Sequence, residues 1–201
     1  MISTGAILLS RIAGVDPQHY QKGQNMSLFL NIEDVAAADL SGLNVKPEDR
    51  VKAKGHDMKR VHGTEAAFAI SLRKSGYHSS PHIHDFEQLN YIQEGEMWFF
   101  ILDQGYHVKK GDFLRIPRNA IHWSWVKTKE PCLCYEVFCP PPPTRQDRPN
   151  HSVGLFADGE EVTPHRPSMG SYYIDLKFHG LDVKEIEAKP AVNRKVAAES
   201  V

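Results

Sequence analysis

From Val61 to Phe138 the chain never runs far without a residue that turns it. Short apolar or alternating runs cover Ala66 to Arg73, Gln88 to Gln93, Met97 to Leu102, Tyr106 to Lys109, Asp112 to Ile116, Ala120 to Val126 and Cys132 to Phe138. Between them stand Ser75-Gly76, Glu94-Gly95, Gln104-Gly105, Lys110-Gly111 and Pro117-Arg118-Asn119, all suited to tight turns. Closely spaced short strands with turn signals between them predict an all-β sandwich or barrel.

The flanks read differently. Residues 1–60 are weakly periodic and are expected to form an N-terminal extension packing on the barrel or on a partner; Asn31 is placed to cap a helix-compatible stretch that runs to Leu40. Pro140 to Pro143 form a proline run that a sheet interior cannot continue, so the core should occupy 61–139. Residues 140–201 are then a proline-rich linker and C-terminal extension, in which Val153 to Ala157, Ser171 to Leu176 and Val183 to Ile186 read as short strands or edge segments.

The wider composition excludes several classes of function. With 24 basic and 25 acidic side chains in 201 residues, and no basic cluster, the chain lacks the electrostatic footprint of a nucleic-acid binder. Its apolar N-terminal run, Ala6 to Leu9, is far too short for a membrane span or a signal-peptide core, so no membrane partner and a cytoplasmic location are expected. Cys132, Cys134 and Cys139 are odd in number and tightly clustered, which fits buried thiols better than a disulfide framework.

Of the 11 histidines, His82 and His84 are the most informative. At i, i+2 on an extended segment they point the same way with backbones about 6.6 Å apart, so both imidazoles can converge on one ion. Gln88 would lie about 13 Å from His84 on a straight strand. It can join them only if Asp85 to Glu87 turn the chain back into a facing strand. His122, after the Pro117-Arg118-Asn119 turn, is a further candidate on another strand. Glu87 is the alternative to Gln88, but it faces the other way if the following residues form a strand. His78 shares the parity of His82 and is a candidate acid or base at the pocket mouth. His19, His56, His62, His107, His151, His165 and His179 have no partners at ligand spacing and read as surface or structural.

In this pattern the chain resembles the cupin superfamily. The first cupin motif has Gly, five residues, His-x-His, three or four residues, Glu, six residues and Gly, and here Gly76, His82, His84, position 88 and Gly95 fall in register. The second has Gly, five residues, Pro-x-Gly, two residues and His, matched by Gly111, Pro117, Asn119 and His122, with Asn119 where the motif has Gly. The resemblance covers about 61–138. It implies a cupin-type double-stranded β-helix, a jelly-roll barrel, with N- and C-terminal extensions. It also implies one divalent transition metal on His82, His84, Gln88 and His122, with Fe(II) first and Mn, Ni, Zn or Cu as alternatives. Gln88 departs from the commonest pattern, which has Glu. A neutral ligand set leaves the ion's charge uncompensated and favours an anionic molecule at the open positions.

Strand parity supplies the surroundings. If His122 faces inward, Ser124 and Val126 follow it, while Ile121, Trp123 and Trp125 face outward and need cover from the N-terminal extension or a second subunit. A homodimer is therefore expected. Asn90 and Ile92 share the side of Gln88, so with Ser124 they should line a mostly apolar pocket for a small-molecule substrate. The resemblance implies a dioxygenase acting on a small enolic, phenolic or ketone-bearing compound. The alternatives are a non-redox metal-dependent isomerase, lyase or decarboxylase, or a non-catalytic small-molecule-binding cupin.

Overall fold

The computed structural model describes residues 29, 31–35, 55–142, 153–154 and 171–193. In chain order the strands are β1 (His56–His62), β2 (Ala67–Arg73), β3 (His82–His84), β4 (Glu87–Glu94), β5 (Glu96–Ile101), β6 (Gln104–Lys109), β7 (Phe113–Ile116), β8 (His122–Trp125), β9 (Cys132–Cys139), β10 (Val153–Gly154) and β11 (Ser171–Tyr173). They form a six-stranded sheet in the order β10-β1-β2-β9-β4-β7 and a five-stranded sheet in the order β11-β3-β8-β5-β6. This double-sheet topology resembles the cupin jelly roll. All seven expected runs are strands, with ends moved by no more than two residues.

Alternation decides what lies between the sheets. Along β9, Cys132, Cys134, Glu136 and Phe138 are buried while their neighbours are half-buried or exposed. On β2, Ala67, Ala69, Ser71 and Arg73 face the same interior, and on β4 Gln88, Asn90 and Ile92 do. The apolar core gathers Ile92, Met97, Phe99, Val108, Ile116 and Val126 with Cys132 and Cys134. Two turns carry strict conformational demands. Gly95 has φ +74°, and a Cβ there would stand 2.2 Å from the Pro131 carbonyl oxygen. Asn119, at φ 59°, adopts the left-handed conformation that Asn tolerates. Its N–H donates to the His84 carbonyl at 2.8 Å, which ties the two halves of the motif together.

The flanks bring the larger departures. The sheet reaches back to His56, because β1 pairs along the whole of β2. Asn31 does cap a turn, accepting from Glu33 N–H at 2.9 Å, but the 3₁₀ turn spans only Ile32–Asp34 before Val35, and residues 36–40 lie outside the described residues. The segment read as a strand at Val183 to Ile186 is instead the helix α1 (Val183–Ala188). Asp182 starts it by accepting from the Lys184 and Glu185 N–H groups, a capping signal that a search for short apolar runs passes over. Ser171–Tyr173 is a strand as expected, and Leu176–His179 then forms a 3₁₀ turn capped by Asp175. Of Val153 to Ala157, the strand covers Val153–Gly154 and the rest lies outside the described residues.

Trp123 does turn away from the pocket side of β8, and among the described residues its cover comes from the C-terminal segment of the same chain rather than from the N-terminal extension. It is wholly buried against Phe100, Ile121, Leu176 and Ile186, with Ile174, Leu181, Val183 and Trp125 packed around them. The C-terminal segment of the same chain closes this face, which removes the outward tryptophans as an argument for a dimer. Cys132 and Cys134 are buried free thiols, whereas Cys139 is exposed. Among the described residues no helix is long and apolar enough to cross a membrane.

Candidate metal centre

The short strand β3 carries His82 and His84 on its interior side, and β8 places His122 directly opposite His82 in the antiparallel register. All three rings are buried, and one ligand nitrogen from each lies within 4.8 Å of the others. Drawing in by an ångström or so would hold an ion at about 2.1 Å from each nitrogen. Ring centroids are 4.2 Å apart for His82 and His122 and 4.6 Å for His84 and His122. His84 is further fixed by stacking on Phe86 at 3.9 Å and 9°.

The hydrogen bonds set the chemical state of the trio. His82 Nδ1 meets the Ser80 carbonyl at 2.9 Å, His84 Nδ1 the Phe86 carbonyl at 2.8 Å, and His122 Nδ1 the Ala120 carbonyl at 2.9 Å. A carbonyl oxygen only accepts, so each Nδ1 carries the hydrogen and each neutral ring keeps its lone pair on Nε2. This outer bonding fixes tautomer and ring orientation as metal-binding histidines require. Burial, together with the neighbouring His84, pushes His82 down to about 3. Burial likewise holds His84 below the usual range and His122 well below it. A three-histidine site able to coordinate one divalent metal ion is therefore present, with its rings neutral near pH 7 and no proton to displace.

Gln88 opens the facing strand β4, as the turned-back chain requires, and its Oε1 stands 3.0 Å from His84 Nε2. Its Nε2 donates to Asn90 Oδ1 at 2.9 Å. Glu87 points to the other face, where its carboxylate accepts from Arg115 Nε at 2.5 Å. Asn90 is buried beside Gln88, Ile92 belongs to the apolar core, and the Ser124 N–H donates to Ser79 Oγ at 2.9 Å. His78 is not brought to the trio. Its Nε2 contacts Glu187 Oε1 at 2.6 Å and its ring meets Trp125 edge-on at 5.2 Å, on the face that the C-terminal segment covers.

The interior is also more polar than expected. Arg73 and Glu136 form a buried ion pair, with side chains 6% and 1% exposed. Burial works against the Arg73 charge, but Glu136, with smaller contributions from Cys134 and Tyr77, outweighs it, so the guanidinium is held more firmly protonated than a free one. Arg60 lies over the Phe138 ring, 6.0 Å from its centroid, and burial lowers it to about 10 despite the opposing pull of Glu136. These groups are hidden in the sequence because charged residue types ordinarily mark the solvent side of a strand. The available signal was parity, since Glu136 alternates in step with Cys132, Cys134 and Phe138. His62 is another interior histidine. It is fully buried, bonded to the Pro142 carbonyl at 2.9 Å, and lowered to about 4 chiefly by burial.

These depressed histidines make the metal-free protein acid-sensitive. Their folded pKa values lie below the ordinary 6.5, so the unfolded chain binds more protons and stability rises with pH. The stabilisation is complete above about pH 6.5 and is lost as pH falls toward 4 and then 3. At pH 5 the loss is about 2 kcal/mol for each of His62 and His82. Urea denaturation of metal-free protein should show a clearly lower midpoint at pH 5 than at pH 7.5; equal midpoints would contradict this account.

The AraC-like ligand binding domain family matches residues 66–159. Acireductone dioxygenase from Leptospira biflexa is 31% identical over 121 residues, spanning 55% of this chain and 67% of that protein. Acireductone dioxygenase from Leptospira interrogans is 28% identical over 128 residues, 58% of this chain and 71% of that protein. Among solved structures, the polyketide cyclase RemF from Streptomyces resistomycificus matches with a TM-score of 0.47 and 19% identity, covering 55% of this chain and 78% of that one. An RmlC-like cupin from Shewanella frigidimarina matches with a TM-score of 0.46 and 18% identity, covering 59% and 93%.

Two sheets with three buried imidazoles meeting between them define a metal-binding, cupin-like protein. With 31% identity across two thirds of the Leptospira biflexa protein, the chain belongs to the same family as that acireductone dioxygenase.

Proposed function

We propose that this protein is a metal-dependent dioxygenase acting on a small enolic, phenolic or ketone-bearing compound, with Fe(II) held by His82, His84, Gln88 and His122. The observation that carries the reading is the set of three Nδ1–carbonyl bonds, which leaves three Nε2 lone pairs directed at one point beside the Gln88 carboxamide. The metal would supply a place to gather substrate and O2 and positive charge to stabilise a developing anion. The protein's own part is to orient and to exclude water. Neutral imidazoles and a neutral amide leave the ion's charge for the substrate, which suits an enolate. The name of the Leptospira relatives, acireductone dioxygenase, supports oxygen chemistry on an enolic compound.

The match to the AraC-like ligand binding domain family supports a second reading, in which the same pocket binds a small molecule without turning it over. Protein purified without chelators should carry iron and consume O2 with a panel of enolic and phenolic compounds. Equal turnover under strict anaerobiosis would replace the dioxygenase with a non-redox lyase or isomerase. Metal retention with tight binding and no turnover of any member of the panel would favour the binding protein.

A further inference from the structure

The amide at position 88 faces a problem that a carboxylate would not. A carboxylate presents an oxygen whichever way it is turned, whereas a carboxamide presents oxygen on one side and N–H on the other. Its orientation has to be chosen by its neighbours. His84 cannot choose it in favour of a metal. Because Nδ1 of His84 donates to the Phe86 carbonyl, Nε2 of the neutral ring is an acceptor, 3.0 Å from the Gln88 carboxamide. Without an ion, that lone pair attracts the N–H side of Gln88 and repels the oxygen.

The opposing influence comes from Asn90, two residues along β4 on the same face and 1% exposed. With Asn90 Oδ1 accepting from Gln88 Nε2 at 2.9 Å, Gln88 Oε1 is turned toward His84 and the point where the three Nε2 atoms converge. Asn90 Nδ2 is then buried with no hydrogen-bond partner among the described residues. Turning both amides over reverses the arrangement: Asn90 donates to Gln88, and Gln88 donates to His84. The two amides therefore turn together. The first arrangement suits a loaded site, and the second satisfies the imidazole of an empty one.

We propose that Asn90 is the positioning residue for the fourth ligand: by accepting the Gln88 N–H it directs the Gln88 oxygen to the metal, letting an amide serve where the commonest cupin pattern has a carboxylate. The inference rests on the proposed metal site with Gln88 as ligand.

The test compares metal affinity and the visible spectrum of Co(II)-loaded protein across single and double variants. Gln88→Leu should weaken Co(II) binding and alter the spectrum. Asn90→Leu, close in volume but without hydrogen-bonding groups, should weaken it about tenfold, the range seen when a partner of a ligand is removed, and move the spectrum toward that of Gln88→Leu. In a Gln88→Glu background, where both oxygens are equivalent, Asn90→Leu should cost no more than about threefold. Asn90→Asp, which can accept but not donate when ionised, should stay within about threefold of the parent chain and covers the case in which the leucine variant fails to fold. If Gln88→Leu binds Co(II) unchanged, the fourth-ligand reading itself fails. If Gln88→Leu is weakened but Asn90→Leu is not, or if Asn90→Leu loses equally in the parent chain and in the Gln88→Glu background, the positioning role alone is overturned. A tenfold loss in Asn90→Asp would overturn it as well.

Discussion

His82→Ala and His122→Ala should each lower the affinity for a divalent transition metal by more than a hundredfold and remove any metal-dependent turnover. Removing a group that merely supports a metal ligand costs about 10–100-fold in affinity, and removing the ligand itself costs more. The two residues face each other across the β3–β8 register, so either change leaves two imidazoles that no longer surround a point. Folding should survive. Each ring is held neutral by burial, and its removal strands no charge, only the Ser80 or Ala120 carbonyl that had accepted from Nδ1. Calorimetric titration with Zn(II), alongside circular dichroism, separates the two effects. A variant that keeps its fold and its full affinity would place the metal elsewhere.

The second large effect concerns stability. Glu136→Gln should destabilise the protein by about 3–5 kcal/mol, the range for removing one partner of a buried ion pair. The change leaves Arg73 charged in the interior, where its guanidinium lies 5.6 Å from the Phe99 ring centroid and 5.8 Å from that of Tyr77. Burial opposes that charge, and the change removes the largest of the groups that offset it. The double variant Arg73→Met/Glu136→Leu should recover most of the loss, because an apolar pair of similar volume avoids desolvating two ions. Urea denaturation of both variants checks the prediction. A single variant as stable as the parent chain would mean that the pair is not buried in solution.

The motif residues were legible in sequence because their geometry is local. A spacing of i, i+2 on a strand fixes which way His82 and His84 point, and Asp85 to Glu87 had to turn if Gln88 was to return to them. The parity of β4 likewise separated Gln88 from Glu87. What escaped was set by tertiary partners. Nothing in the run from Cys132 to Phe138 states that Glu136 finds Arg73 on the neighbouring strand β2. Parity placed Trp123 outward correctly, but it could not say that a segment some fifty residues later, in Leu176 and Ile186, lies over it. His78 shows the limit most clearly. It shares parity with His82, yet the chain between them is not one straight strand, and His78 ends up beside Glu187.

The cladding on β8 also decides how a ligand travels. One side of that strand carries His122, and the other is sealed by Leu176, Ile186 and the neighbouring tail, with Glu187 accepting from Trp123 Nε1 at 2.8 Å. That cladding closes the outer side of β8 where Trp123 lies, so His122 is open to a ligand only from the side between the sheets. The trio is not equally enclosed: His82 is 8% exposed, against 2% for His84 and for His122. Of the three imidazole-bearing residues His82 therefore keeps the most surface for a molecule arriving from solvent, and the other two lie deeper.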